Sequence, residues 1–460
     1  MENSTTLPAR TKYLYAMGYV PDVIMANLIS LLANMIYNVE LGVPATLIGL
    51  AVSLPRLWEA FTDPIIGNLS DNSRSRWGRR RPFIAVGAVT AGLLCMALWM
   101  PPTSLGKNGL FVYFLVISIL YLTAYAAYNV PYLALGLEMA KTDKDRNSLM
   151  GFRVAGDKFA WFAILAFVPV LVTNKMLGET PVESVKVLGI ILGVLIIGLG
   201  LLAAFTCSEG EQVLRKKSPG VLVGLKDVVK NKSFLMVAGI MCFALIGFVL
   251  AFTFPYYINL AVVFPGGGLE AKEAASEISA ISTICGNLLA IAFCPYIGKL
   301  SEIMGRKQLL ITGLLVLIAS FLATPLLFNP NYPYLQILYK VVDAPAISIV
   351  WVLTLPMLAE VCDLDEIENG SRREGIFTAM FNWGNKFSMA FVSILGGSLI
   401  DFSGFKGSLV TQSQETITFL RWVFMLGPLP FLIVAIILTI KFPLNSKVLQ
   451  NLKESKKTSC

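Results

Sequence analysis

The sequence predicts an all-α polytopic membrane protein of about twelve transmembrane helices arranged as two six-helix parallel repeats. Three observations lead there. The 460 residues are 56% hydrophobic and only 14% charged, against about 25% charged in a soluble domain. Apolar runs of roughly 20 residues, each long enough to cross a bilayer, recur from end to end. Two short motifs from the first half return in the second, in the same order and at nearly the same spacing.

Each span follows from an apolar run. They lie near 13–37, 45–70, 83–102, 109–138, 150–173, 185–206, 233–259, 274–298, 308–328, 332–361, 374–402 and 416–441. Most turns between them are short. The exception is 207–232, a polar, basic stretch at mid-chain. The expected organisation is therefore a six-helix half over 1–206, a linker over 207–232, and a second six-helix half with a tail over 233–460. Placing the arginine-rich loop at 71–82 in the cytoplasm puts both termini and the linker there as well. Most remaining loop lysines and arginines then fall on the same side, as the positive-inside rule requires. The expected location is the inner (plasma) membrane.

The repeat is explicit. DPIIGNLSD at 63–71 returns as CPYIGKLSE 231 residues on, and GDKFA at 156–160 returns as GNKFS 228 residues on. Parallel six-span repeats are the organisation of the major facilitator superfamily, with substrate near the midplane between halves. The comparison is informative where it fails. Arg56, Glu59 and Asp63 project onto Asn287, Ala290 and Cys294, so the second half keeps Pro295 and Gly298 but none of the three charges. The shared residues read as structural and the charges as a functional addition to the first half.

Several classes are excluded. The net charge of +8 comes from basic residues in short loops, which is topology and not a nucleic-acid surface. The seven cysteines are scattered without paired spacing, so neither a disulfide framework nor a zinc site follows. There is no histidine, which leaves any proton work to Asp, Glu or Lys. No nucleophile-with-base cluster or phosphate-binding glycine loop marks an enzyme. A membrane sensor is the alternative from another class, and neither end carries a soluble output domain.

The candidate site residues are ionisable or polar groups at bilayer depth, which are costly there and mark ion or substrate pathways. Arg56, Glu59 and Asp63 lie on one helix face by spacing. Two carboxylates one turn apart repel unless a cation or proton neutralises them, and Thr62 offers a hydroxyl ligand between them. Asp22, in the first span after Tyr13, Tyr15 and Tyr19, is either an interfacial carboxylate or a pathway group. Arg153 and Asp157 have the i,i+4 spacing of an internal pair, with Lys158 beside them. Asn129 and Tyr132 flank Pro131 in the fourth span. Lys386 lies deep in the eleventh span. Lys340 and Asp343 read as an interface salt bridge, and Trp351 as a packing residue. The acids of 363–374, among them Asp363, Asp365 and Glu366, read as a cytoplasmic loop. Facing Arg79, Arg80 and Arg81 of the 71–82 loop, they would make a cytoplasmic gate.

At these residues the sequence resembles the glycoside–pentoside–hexuronide:cation symporter family. RLWEAFTDPIIGN…SRSRWGRRRP matches that family's R-x-W-D-A-x-x-D-P…G…R-S-R-W-G-x-x-x-P signature. The resemblance implies cation-site carboxylates at Glu59 and Asp63, with Thr62 bearing on cation choice. It implies sugar contacts at Asp22 and Arg153, an aromatic of the sugar site at Trp351, and the charged residue of the eleventh span at Lys386. Two departures stand out: Glu59 replaces an Asp, and Asn129 stands where an acid is shared between sugar and cation sites. The expected function is secondary active symport of a sugar or glycoside with Na+ or H+, by alternating access. Alternatives are a non-sugar substrate such as a lysolipid, or an uncoupled facilitator. The expected partners are the substrate, the coupling cation and the bilayer, with no cofactor beyond the coupling ion and a functional monomer.

Overall fold

A computed structural model describes residues 7–140, 143–207, 228, 230–266, 268–369, 374–407 and 409–443. The mid-chain linker predicted at 207–232 falls almost wholly outside them, as do Arg372, Arg373 and the lysine-rich tail. The described residues form helices joined by short turns, with no strand among them.

Twelve helical stretches match the twelve apolar runs. The first is α1 (Ala9–Ala33), closed by a π-helical turn at Asn34–Glu40. Then come α2 (Ala45–Asn72), α3 (Arg81–Leu98) and α4 (Lys107–Met139), which passes through Pro131 without ending. The fifth stretch is α5 (Asp143–Ala160), a π turn and the short α6 (Val168–Thr173); the sixth is α7 (Pro181–Thr206). The seventh comprises α8 (Lys232–Thr253), α9 (Pro255–Ile258) and a π turn at Asn259–Val263. A π turn thus closes both the first and the seventh span, positions the repeat makes equivalent. The rest are α10 (Leu269–Met304), α11 (Arg306–Leu322) with α12 (Thr324–Leu327), α13 (Gln336–Asn369), α14 (Glu374–Phe402), and α15 (Gln414–Leu426) followed by α16 (Leu429–Lys441).

Among the described residues, eight of these stretches are long and apolar enough to cross a membrane. The others are short, as α11 with 17 residues, or diluted by ionisable groups, as α2 and α5 are. One boundary corrects the sequence reading. Residues 363–369 are not loop: α13 runs on through Asn369, carrying Asp363, Asp365 and Glu366 in its last turns. The charged DKDRNS segment at 143–148 is likewise helical, the opening of α5.

The chain divides into two compact units. The first comprises Met1–Val213, Gly266–Ala280 and Ser393–Gln412; the second holds the remainder. In the first, α3 packs on α4 and α7, α2 on α4, and α1 on α5 and α7. Small residues let these backbones approach, which is how helices associate without a hydrophobic driving force. A methyl on Gly92 would stand 2.7 Å from the Gly193 carbonyl oxygen, and one on Gly193 equally close to that of Gly92. In the second unit, α8 packs on α13 and α16, and α11 on α13 and α16.

The pieces of α10 and α14 in the first unit grip the start of α2. Pro44 precedes that helix and supplies no side-chain cap. Instead the Asp401 carboxylate accepts from the Ala45 and Thr46 amides at 2.8 and 2.7 Å. Those are two of the orphan donors a helix start must satisfy. Lys272 pairs with Glu40 at 2.5 Å, and any side chain at Gly397 would collide with the Ala45 carbonyl. Asp401→Ala should therefore cost about 1–2 kcal/mol, the usual worth of a helix cap, read as a lower melting temperature in detergent. An unchanged melting temperature would mean that the cap contributes nothing to stability.

Candidate functional site

α2 threads two prolines, Pro55 and Pro64, which deprive the Ala51 and Ala60 carbonyls of their usual donors. Arg56, Glu59, Thr62 and Asp63 occupy the two turns from Pro55 to Pro64. The Arg56 guanidinium donates to the Ala26 carbonyl of α1 and lies 3.5 Å from the Glu59 carboxylate. Glu59 and Thr62 are each only 6% exposed, and Asp63 is half-buried. The Thr62 hydroxyl donates to the Glu59 carbonyl at 3.3 Å, so its oxygen lone pairs remain available to a ligand. The segment thus sets a threonine oxygen and two carboxylates within two turns, with one guanidinium to balance them.

A second cluster forms on α1. Asp22 is 4% exposed and accepts from the Asn129 side-chain amide of α4. One turn earlier, the Tyr19 hydroxyl accepts from Arg153 of α5 at 2.9 Å, with the guanidinium 4.5 Å above the tyrosine ring. Arg153 is thereby tied to α1 through Tyr19. The i,i+4 pair with Asp157 predicted from spacing does not form, because Asp157 pairs with its neighbour Lys158 at 3.1 Å.

Beneath this cluster lies a tyrosine layer of which sequence reasoning singled out Tyr132 but not Tyr128. Tyr132 is fully buried, stacks on Tyr15 at 4.7 Å and on Tyr128 at 5.3 Å, and donates to the Tyr15 carbonyl. Tyr128 donates to the Gly18 carbonyl. In an α-helix those carbonyls belong to the turns that present Tyr19 and Asp22. Tyr15 and Tyr19 were legible only as an aromatic stretch; their spacing to Asp22 was the available signal.

The structure therefore brings Asp22, Asn129, Tyr132 and Arg153 together around α1, and Glu59, Thr62 and Asp63 together on α2. The recorded partner of Asn129 is Asp22, so Asn129 is tied to the α1 cluster. Lys386 and Trp351 belong to the second unit, Lys386 half-buried on α14 and Trp351 38% exposed on α13. Lys340 and Asp343 do pair, at 3.4 Å, and Asp343 is fully buried within the protein.

Of the residues predicted to gate the cytoplasmic side, the three arginines make the following contacts within the first unit. Arg79 and Arg80 pair with Glu138 at 2.7 and 3.0 Å, and Arg80 also with Asp71 at 2.7 Å. Arg81 donates to the Ala204 and Phe205 carbonyls at the end of α7, where a cation suits the helix dipole. On α13, Asp365 is buried, Asp363 half-buried and Glu366 exposed.

Twelve helical stretches with ionisable groups clustered at bilayer depth are the architecture of a multi-pass membrane transporter, not of an enzyme. The chain belongs to the MFS/sugar transport protein family, whose profile matches residues 14–446. It is 25% identical to the inner membrane symporter YicJ of Escherichia coli K12, over 98% of this chain and 95% of that one. It is 22% identical to the glucuronide carrier protein homolog of the same organism, over 95% and 93%. The crystal structure of a D-xylose-proton symporter is similar with a TM-score of 0.65 at 16% identity, covering 95% of this chain and 98% of that one. That last likeness concerns the fold alone.

The Asp22–Asn129 contact is a charge-assisted hydrogen bond, worth roughly 1.5–3 kcal/mol. A double-mutant cycle on thermal stability, combining Asp22→Asn with Asn129→Ala, should show a coupling of at least about 1 kcal/mol. Additive effects would mean that the two side chains contribute independently.

Proposed function

We propose that the protein is a secondary active symporter that couples Na+ or H+ entry to uptake of a sugar or glycoside. The observation that carries this reading is the α2 segment. Glu59 and Asp63 stand one turn apart in a helix of the bilayer-spanning bundle, Glu59 almost wholly buried. Two carboxylates so placed hold a net negative charge that a cation or proton neutralises at low cost. Thr62 would add an oxygen ligand for a hard cation. Binding there would favour the substrate-bound state by differential affinity, which is all that coupling requires.

The names of the relatives support symport, and the glucuronide carrier homolog supports a glycoside as substrate. Asp22, Asn129 and Arg153 are the substrate contacts we assign to the first half; Tyr132, also expected there from the sequence, is 0% exposed and lies behind them, and Trp351 and Lys386 contribute from the second. Their polar groups would meet sugar hydroxyls, with Trp351 presenting a ring face. The positive-inside pattern of the basic loops supports cytoplasmic termini in an inner or plasma membrane.

Counterflow uptake in vesicles, screened over sugars and glycosides with and without sodium, tests the reading directly. Asp63→Asn should abolish concentrative uptake while leaving exchange of substrate. Accumulation at the wild-type level in that variant would overturn the ion-site assignment. Uptake that equilibrates but never concentrates in the wild type would identify a facilitator. Once a substrate is found, Asp22→Ala and Arg153→Ala should each weaken its affinity by roughly ten- to a hundredfold, the worth of about 1.4–2.8 kcal/mol of lost hydrogen bonding. Unchanged affinity in both would move the pocket elsewhere.

A further inference from the structure

The second unit holds an ion pair that the mechanism above does not use. Asp343 lies seven residues into α13, about 10 Å along the helix, which is about a third of the ~30 Å hydrocarbon thickness. Its Oδ2 is 3.4 Å from Lys340 Nζ, one turn earlier on α13. Its side chain is 0% exposed, and among the described residues its Oδ1 has no hydrogen-bond partner. An ionised carboxylate in this position has lost the donors of water and regained only one, at long range. That is an expensive arrangement for a carboxylate at bilayer depth.

What could complete it is narrowly limited. A sugar cannot reach an oxygen with no exposed surface. A hard metal cation takes about six oxygen ligands, and here it would sit beside an ammonium. A proton needs neither room nor further ligands. The lysine is also placed to survive the loss of its partner. Its Nζ lies 3.9 Å above the Phe252 ring of α8 and 5.2 Å from that of Tyr339, and an aromatic face supports a lone ammonium. The backbone at Lys340 is fixed against Gly286 of α10, where a methyl would stand 2.7 Å from the Lys340 carbonyl oxygen.

We propose that the Lys340–Asp343 pair is a proton-binding site of the second unit, independent of the α2 carboxylates. A proton adds to Asp343 and forms an O–H bond. The ion pair with Lys340 loosens, Lys340 keeps its own proton, and the net charge of the pair rises from zero to +1. The titratable groups that face the pair are few. On α13 itself they are Lys340 and the Tyr339 phenol. α10 brings the Cys285 thiol beside Gly286, with its charged residues at Glu277 and before and at Lys299 and beyond. α8 carries only Lys232 at its start, α11 only Arg306 and Lys307 at its start, and α12 no charge. α15, whose Phe424 packs on Tyr339, carries Glu415 and Arg421.

Infrared difference spectroscopy of the protein in lipid nanodiscs, taken between about pH 5 and pH 9, tests this without substrate or sodium. Failure of the symport reading therefore leaves the measurement intact. The wild type should show a protonated-carboxyl band on acidification that Asp343→Asn lacks and Asp343→Glu retains at a shifted frequency. Lys340→Gln should move the midpoint of that band to higher pH by about one unit or more, because the ammonium that favours the carboxylate is gone. The double variant K340Q/D343N removes both charges at similar volume and serves as the folded control without the band. Identical spectra for wild type and Asp343→Asn would overturn the proposal and leave a fixed structural pair. If Asp343→Asn fails to fold, an unmoved midpoint in Lys340→Gln overturns it equally.

Discussion

Every ionisable group within the bilayer has to find its partner in the protein, and that constraint organises both units. Arg56 is the clearest case. Its guanidinium is satisfied by a backbone carbonyl on α1 and a carboxylate on its own helix. That ties the α1 and α2 helices together at the depth where the carboxylates lie. Arg153 and Asp22 are handled in the same way, each by a polar group on a neighbouring helix. Hydrocarbon offers no hydrogen bonds, so a buried charge becomes a point of attachment between helices and fixes their rotation.

The tyrosine layer shows how such attachments are held in register. Tyr128 and Tyr132 each put a hydroxyl on a carbonyl of α1 while their rings fill the space between helices. The Tyr15 ring stacked at 4.7 Å on Tyr132, itself backed by Tyr128 of the same helix at 5.3 Å, leaves little freedom for α1 to rotate against α4. Tyr19 and Asp22 are therefore presented by a helix whose rotation is already set. Their polar partners select among side-chain positions and need not also hold the backbone.

Much of the fold was legible because hydropathy and span length report the same physical requirement. All twelve stretches fall where the apolar runs lie, and the PxxG and GxKF repeats mark corresponding places in the two halves. The misreadings share a cause. Acidic residues at 363–369 signal departure from hydrocarbon, which the sequence conveys, but a helix can continue into water, as α13 does. The spacing of Lys340 and Asp343 revealed their pairing, whereas their burial depends on Phe252 and Gly286 from distant parts of the chain. Arg153 had a suitable acid four residues away, yet it bonds a tyrosine 134 residues distant in sequence. Periodicity identifies which residues share a face; the partner opposite that face is a tertiary choice.

The grip of Asp401 on the start of α2 has a mechanical consequence. Pro55 lies between that grip and the carboxylates, about 15 Å from Ala45 along the helix, and a proline is where a helix bends. A bend of ~10° there would carry the Ala45 end ~2.5 Å sideways, enough to stretch both amide–carboxylate bonds beyond bonding distance. Were α2 to bend at Pro55, one arm would carry Glu59 and Asp63 while the other left Asp401, so such a bend and the two Asp401 bonds exclude each other.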